Sequence, residues 1–199
     1  MDNTEKRMRG RPRAYDPDAA LRSAAGAFWK TGYSGTSLDD IEAATGMNRP
    51  SLRAAFGGKH DIYMRALEGY WKTKFSIINE VLQGPELLPA ALARVYGAAL
   101  DIYFANGDHV RGCFVVGTAL TEALDHPEIQ AMVVDGFQKL DASFETRLAR
   151  ALGTGELALG TDVQALAVMA TAVMHTIALR ARAGASRPEL GVWLRWPSM

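Results

Sequence analysis

At 199 residues, 48% hydrophobic and 22% charged, the chain has the composition of an ordinary folded protein with one compact domain or two small ones. Its zero formal charge excludes a uniformly basic or acidic molecule but hides a split: residues 1–60 hold ten Lys/Arg against seven Asp/Glu, the remainder twelve against fifteen. A single cysteine, Cys113, excludes an intrachain disulfide, and no P-loop, dinucleotide-binding glycine motif or HExxH suggests an enzyme.

Residues 6–13, Lys-Arg-Met-Arg-Gly-Arg-Pro-Arg, have no apolar period, so residues 1–13 read as a flexible basic arm. Within it Arg9-Gly10-Arg11-Pro12-Arg13 resembles an AT-hook, whose glycine lets the backbone sit deep in a narrow minor groove while Arg9, Arg11 and Arg13 lie along it. Asp16-Pro17-Asp18 then starts a helix with an N-cap, a proline and an acid. Leu21, Ala24, Ala25 and Phe28 give that helix an apolar stripe, and Gly32 ends it.

Residues 37–56 have the pattern of two short helices joined by a tight turn. Ser37 is placed to cap the first, with Asp40 as its capping-box partner, and Leu38, Ile41 and Ala44 recur at helical spacing. Gly46 supplies the positive φ of a helix stop, Met47 a buried contact and Asn48 a second N-cap. Pro50 is tolerated in a first turn, where backbone N–H groups have no intrahelical partner. Leu52 and Phe56 anchor the second helix, which leaves Asn48, Arg49, Ser51 and Arg53 facing outward. A braced helix that presents a cation and small polar groups suits a DNA major groove. The candidate DNA contacts are therefore Asn48, Arg49, Pro50, Ser51 and Arg53, with Thr36, Ser37 and Lys59 bracing phosphates from neighbouring helix starts.

Residues 14–72 resemble the DNA-binding domain of the TetR/AcrR family of bacterial transcriptional regulators. The matching elements are Phe28, Gly32-Tyr33, Thr36-Ser37-Leu38-Asp39-Asp40-Ile41, Ala44-Thr45-Gly46-Met47, Ser51-Leu52 and Phe56-Gly57-Gly58-Lys59. One position departs: Arg53 stands where the family usually has tyrosine, and arginine reaches either a phosphate or a guanine edge.

Beyond residue 60 the chain reads as successive helices over about 59–83, 86–106, 111–125, 127–152 and 161–184. Gly84-Pro85, Asn106-Gly107, His126-Pro127 and Gly153-Thr154-Gly155 punctuate them. The uncharged run Val163 to Leu179 is interrupted by Gln164, Thr171, His175 and Thr176, and reads as a buried helix rather than a membrane span. Pro188, Gly191 and Pro197 break up the end of the chain around Trp193 and Trp196.

The expected fold is all-α, an N-terminal three-helix helix-turn-helix domain (14–72) and a C-terminal helical ligand-binding and dimerisation domain (73–199). The resemblance implies a homodimer through 127–152 and 161–184, a double-stranded, palindromic DNA operator and a small-molecule effector that releases it. No cofactor, metal or membrane partner is expected, and the absence of a signal peptide fits the cytoplasm. The candidate effector set is Trp71, Phe75, Tyr96, Tyr103, Phe104, Phe114, Met132, Phe137, Met169 and His175, a composition that favours an apolar or aromatic ligand. Cys113 is a separate candidate sensor, because a thiol at a helix start beside the cation Arg111 is disposed to react. His109, His126 and His175 lack metal-ligand spacing with Cys113. Two other readings remain: a helical interaction module that has lost DNA binding, and a helical-bundle enzyme.

Overall fold

Eight α-helices and one π-helical turn, with no strand, make up the described residues (16–105 and 111–192) of this computed structural model. The helix starts follow local chemistry. In α1 (Pro17–Gly35) the Asp16 carboxylate accepts the Asp18 N–H at 2.9 Å, and Gly32 breaks the regular helix with φ 78° and ψ 175° before a last turn. In α2 (Leu38–Thr45) Ser37 and Asp40 form a complete capping box, and Gly46 closes the helix at φ 68°. In α3 (Arg49–Phe56) the Asn48 side chain accepts the Ser51 N–H at 3.0 Å. Caps of this kind contribute about 1 kcal/mol each.

The long α4 (Lys59–Leu82) joins the head to the body. Its first half closes the head core, where Tyr63 meets Phe28 edge-to-face at 5.1 Å and Ile41, Leu52 and Phe56 are also buried. Its second half packs in the body with α5 (Leu88–Tyr103), α6 (Pro127–Gly153) and α7 (Val163–Arg182), and the short α8 (Arg187–Gly191) follows. One continuous helix therefore belongs to both halves.

The expected helix over 111–125 is corrected. Val115–Ala119 form a π-helical turn in which the Leu120 N–H reaches the Val115 carbonyl at 3.1 Å, and residues 120–125 are turns. Thr118 and Thr121 direct their hydroxyls to the carbonyls of Phe114 and Thr118, in competition with a regular α ladder.

By length and composition α7 could cross a membrane, yet Ala167, Met174, Ile177 and Ala178 are buried in the body. Its other face exposes Val168, Met169, Val173 and Leu179, and α6 exposes Val134. Trp193 and Trp196 lie outside the described residues.

Candidate nucleic-acid interface and interior site

Leu52 and Phe56 pin α3 to the head core, and Asn48, Arg49, Pro50, Ser51 and Arg53 are all exposed. Arg49 is held in place: its guanidinium meets Asp39 at 2.5 Å and Glu42 at 3.2 Å, and its backbone N–H donates to Glu42 at 2.5 Å. The pairs are exposed and screened by solvent, so they are weak. The carboxylates thus orient the cation, and a phosphate or guanine can displace them. Ser37 is exposed, and its hydroxyl donates to Asp40 at 2.6 Å, which holds that carboxyl below the usual range. The Lys59 ammonium lies over the Tyr33 ring at 4.5 Å.

Thr36 is a correction. It is 1% exposed, and its hydroxyl donates to the Gly32 carbonyl at 2.6 Å and lies 2.7 Å from the Thr31 hydroxyl. It closes the kink after Gly32 and has no surface to offer a phosphate. Arg9, Arg11 and Arg13 fall outside the described residues.

The effector candidates divide. Trp71 stacks on Phe75 at 5.1 Å and meets Phe137 edge-on at 6.1 Å, and Phe137 touches His175 at 4.6 Å. Burial and the nearby Lys74 charge push the His175 pKa down to about 4, so its imidazole is neutral at ordinary pH. Within this body Trp71 Nε1, Tyr103 Oη, Thr171 Oγ1 and His175 Nε2 are buried without a partner. Phe104 and Met132 are half-buried beside the core.

Two members of the set are placed differently. Tyr96 packs with Phe144 at 6.3 Å and gives its hydroxyl to the Ala170 carbonyl at 3.1 Å, a core role. Met169 is 62% exposed on the outer face of α7, so it faces away from any interior ligand.

Cys113 is 1% exposed beside the equally buried Phe114. Its sulfur accepts the Tyr70 hydroxyl at 3.1 Å and lies 4.0 Å from the Lys74 ammonium. The cation at the thiol is Lys74, itself 1% exposed and packed over the Trp71 ring at 5.3 Å. Arg111 instead places its guanidinium over Trp29 at 5.4 Å. A lysine inside a core is unusual, and its position i+3 from Trp71 gave no sign of it in the sequence. An open cleft of about 520 Å³ runs between α4 and α6, bordered by Phe75, Leu82, Lys139 and Arg147.

His126 lies beside His60 and Glu128, with one potential ligand atom from each within 4.8 Å of the others. Chain spacing had compared His126 with Cys113 and so missed this grouping.

Comparison with known proteins agrees with the arrangement. Residues 20–66 match the family described as bacterial regulatory proteins, tetR family, and residues 90–192 match the tetracyclin repressor-like C-terminal domain. The chain is 31% identical to the HTH-type transcriptional repressor ComR of Escherichia coli over all of its own length and 98% of that protein. It superposes on a cysteine-substituted TetR family regulator, CifR, in complex with 26-base-pair operator DNA, with a TM-score of 0.84 and 29% identity. That match covers 94% of this chain and 100% of the other.

Proposed function

The chain belongs to the TetR family of bacterial transcriptional regulators, and on that premise we propose that it is a homodimeric repressor whose α3 helices read the two halves of a palindromic operator. The observation that carries this reading is α3 itself, anchored by Leu52 and Phe56 while its exposed first turn presents Asn48, Arg49 and Ser51. Repression is steric: the dimer occupies promoter DNA in the cytoplasm. The proposed units are the basic arm (1–13), the DNA-binding domain (14–72) and the effector and dimerisation domain (73–199).

Selection of bound sequences from random DNA, followed by footprinting, tests the reading. A two-fold site is expected. Arg49→Ala should weaken binding to it by about 1–3 kcal/mol and relax preference at one base position. Weak binding with no sequence preference would instead support an interaction module that no longer reads DNA.

Release follows from a small apolar or aromatic ligand bound between α4 and α7, or from modification of Cys113. The unpartnered polar atoms around Trp71 and His175 support a ligand site, and the Tyr70 and Lys74 contacts to Cys113 support thiol chemistry. Cys113→Ser should abolish release of the selected operator by N-ethylmaleimide; equal release from the mutant would reject the thiol as the trigger.

A further inference from the structure

Three metal-competent side chains meet at the seam between head and body, outside the groups that read DNA. His60 lies in the first turn of α4, just after the loop that ends α3, while His126 and Glu128 open α6. His60 Nε2 is 3.0 Å from Glu128 Oε1, and the two imidazole centroids are 5.8 Å apart. Tyr33 holds both rings from one side, edge-on at 6.1 Å to His60 and 5.3 Å to His126. His126 occupies the N-cap position of α6 but makes no side-chain capping bond, so helix capping does not account for its presence there.

We infer that His60, His126 and Glu128 bind a divalent transition-metal ion that fastens the DNA-binding head to the body. Two imidazole nitrogens and one carboxylate form the donor set of three-ligand sites that leave a position open to water. The set lacks the sulfur that a soft ion such as Cu(I) takes and the oxygen cage of Ca²⁺ or Mg²⁺, so it suits divalent first-row transition metals, for which Co²⁺ and Zn²⁺ are convenient probes. Bonds of 2.0–2.2 Å require ligand atoms about 3.4 Å apart. The His60–Glu128 pair, at 3.0 Å, is near this, and metal binding requires the 4.8 Å spread of the three ligand atoms to close by side-chain rotation. His60 is 34% and Glu128 49% exposed, which gives an ion a way in.

The site bridges two elements whose relative position sets where α3 points. An ion that binds one head–body arrangement better must shift DNA affinity, and DNA must shift ion affinity equally. This coupling rests on the proposed operator binding; ion binding itself does not.

The test uses untagged, chelator-stripped full-length protein titrated with Co²⁺, followed by the visible d–d absorption of the bound ion and by Zn²⁺ displacement. One ion per subunit is expected, with affinity at least about 10-fold weaker in His126→Ala and in Glu128→Gln. Glu128 is exposed and His126 half-buried against Tyr33, and circular dichroism checks that the variants are folded. A missing absorption band, or one that both variants retain, would overturn the site. On the selected operator, the ion should change wild-type affinity by at least about 5-fold and leave His126→Ala unaffected. A bound ion with unchanged operator affinity would overturn the coupling alone, and failure to find an operator would leave the cobalt result to decide the site.

Discussion

Met169→Glu should convert the protein to a monomer and lower its operator affinity by more than about 100-fold. The residue projects from an apolar face formed by Val168, Val173 and Leu179 on α7 and Val134 on α6, all at least 38% exposed. Ala172 and Thr176 lie between them and line a shallow depression of about 250 Å³ with Met169 and Val173. Small residues beside larger ones allow close approach of a second helix pair. Soluble chains rarely leave such a stripe uncovered, and the proposed pairing of α6 and α7 with their copies would cover it and set the two heads on one two-fold axis. A carboxylate at its centre would have to be buried without a partner, at a cost of several kcal/mol. Loss of pairing removes the second half-site, which accounts for the large effect on DNA. Light scattering at micromolar concentration and gel-shift titration check both parts, with circular dichroism to show unchanged helicity. A variant that remains dimeric would place the interface elsewhere. One that remains dimeric yet no longer responds to an effector would return Met169 to the ligand site.

Residues that act over short chain distances are legible in the sequence, and those that act across the fold are not. Ser37 with Asp40, Asn48 with Ser51 and the turn at Gly46 are contacts within a few residues, and the sequence reading placed all of them. Leu52 and Phe56 were legible because a helix of known phase must bury one face. Thr36 was misread because its hydroxyl answers a carbonyl freed by the Gly32 kink, a partner that residue type alone does not reveal. Lys74 would pass for a surface charge, since nothing nearby in sequence announces the Cys113 sulfur. The His60–His126–Glu128 grouping depends on how separate helices pack, and periodicity carries no information about that.

Gly136→Val should destabilise the protein by more than about 3 kcal/mol, a fall in Tm of roughly 6–12 °C for a chain of this size. Gly136 lies in mid-helix on α6, where glycine costs about 1 kcal/mol relative to alanine, and its φ is not positive. Backbone conformation therefore does not require it; proximity does. A Cβ at this position would sit 2.2 Å from Cε2 and Cζ2 of Trp71 and 2.8 Å from its Nε1. The indole has little room to retreat, with Phe75 stacked on it at 5.1 Å, Phe137 at its edge and the Lys74 ammonium over its face. Any accommodation must move α4 away from α6, and α4 carries the DNA-binding head. The clash can be assigned by a double-mutant cycle: Trp71→Ala alone should cost about 3–5 kcal/mol. Combined with Gly136→Val it should cost at least about 1–2 kcal/mol less than the sum of the two, because valine then fills space the indole has left. Thermal melts of the four proteins decide the matter. If the two costs simply add, the steric contact between Gly136 and Trp71 is not what sets the α4–α6 spacing.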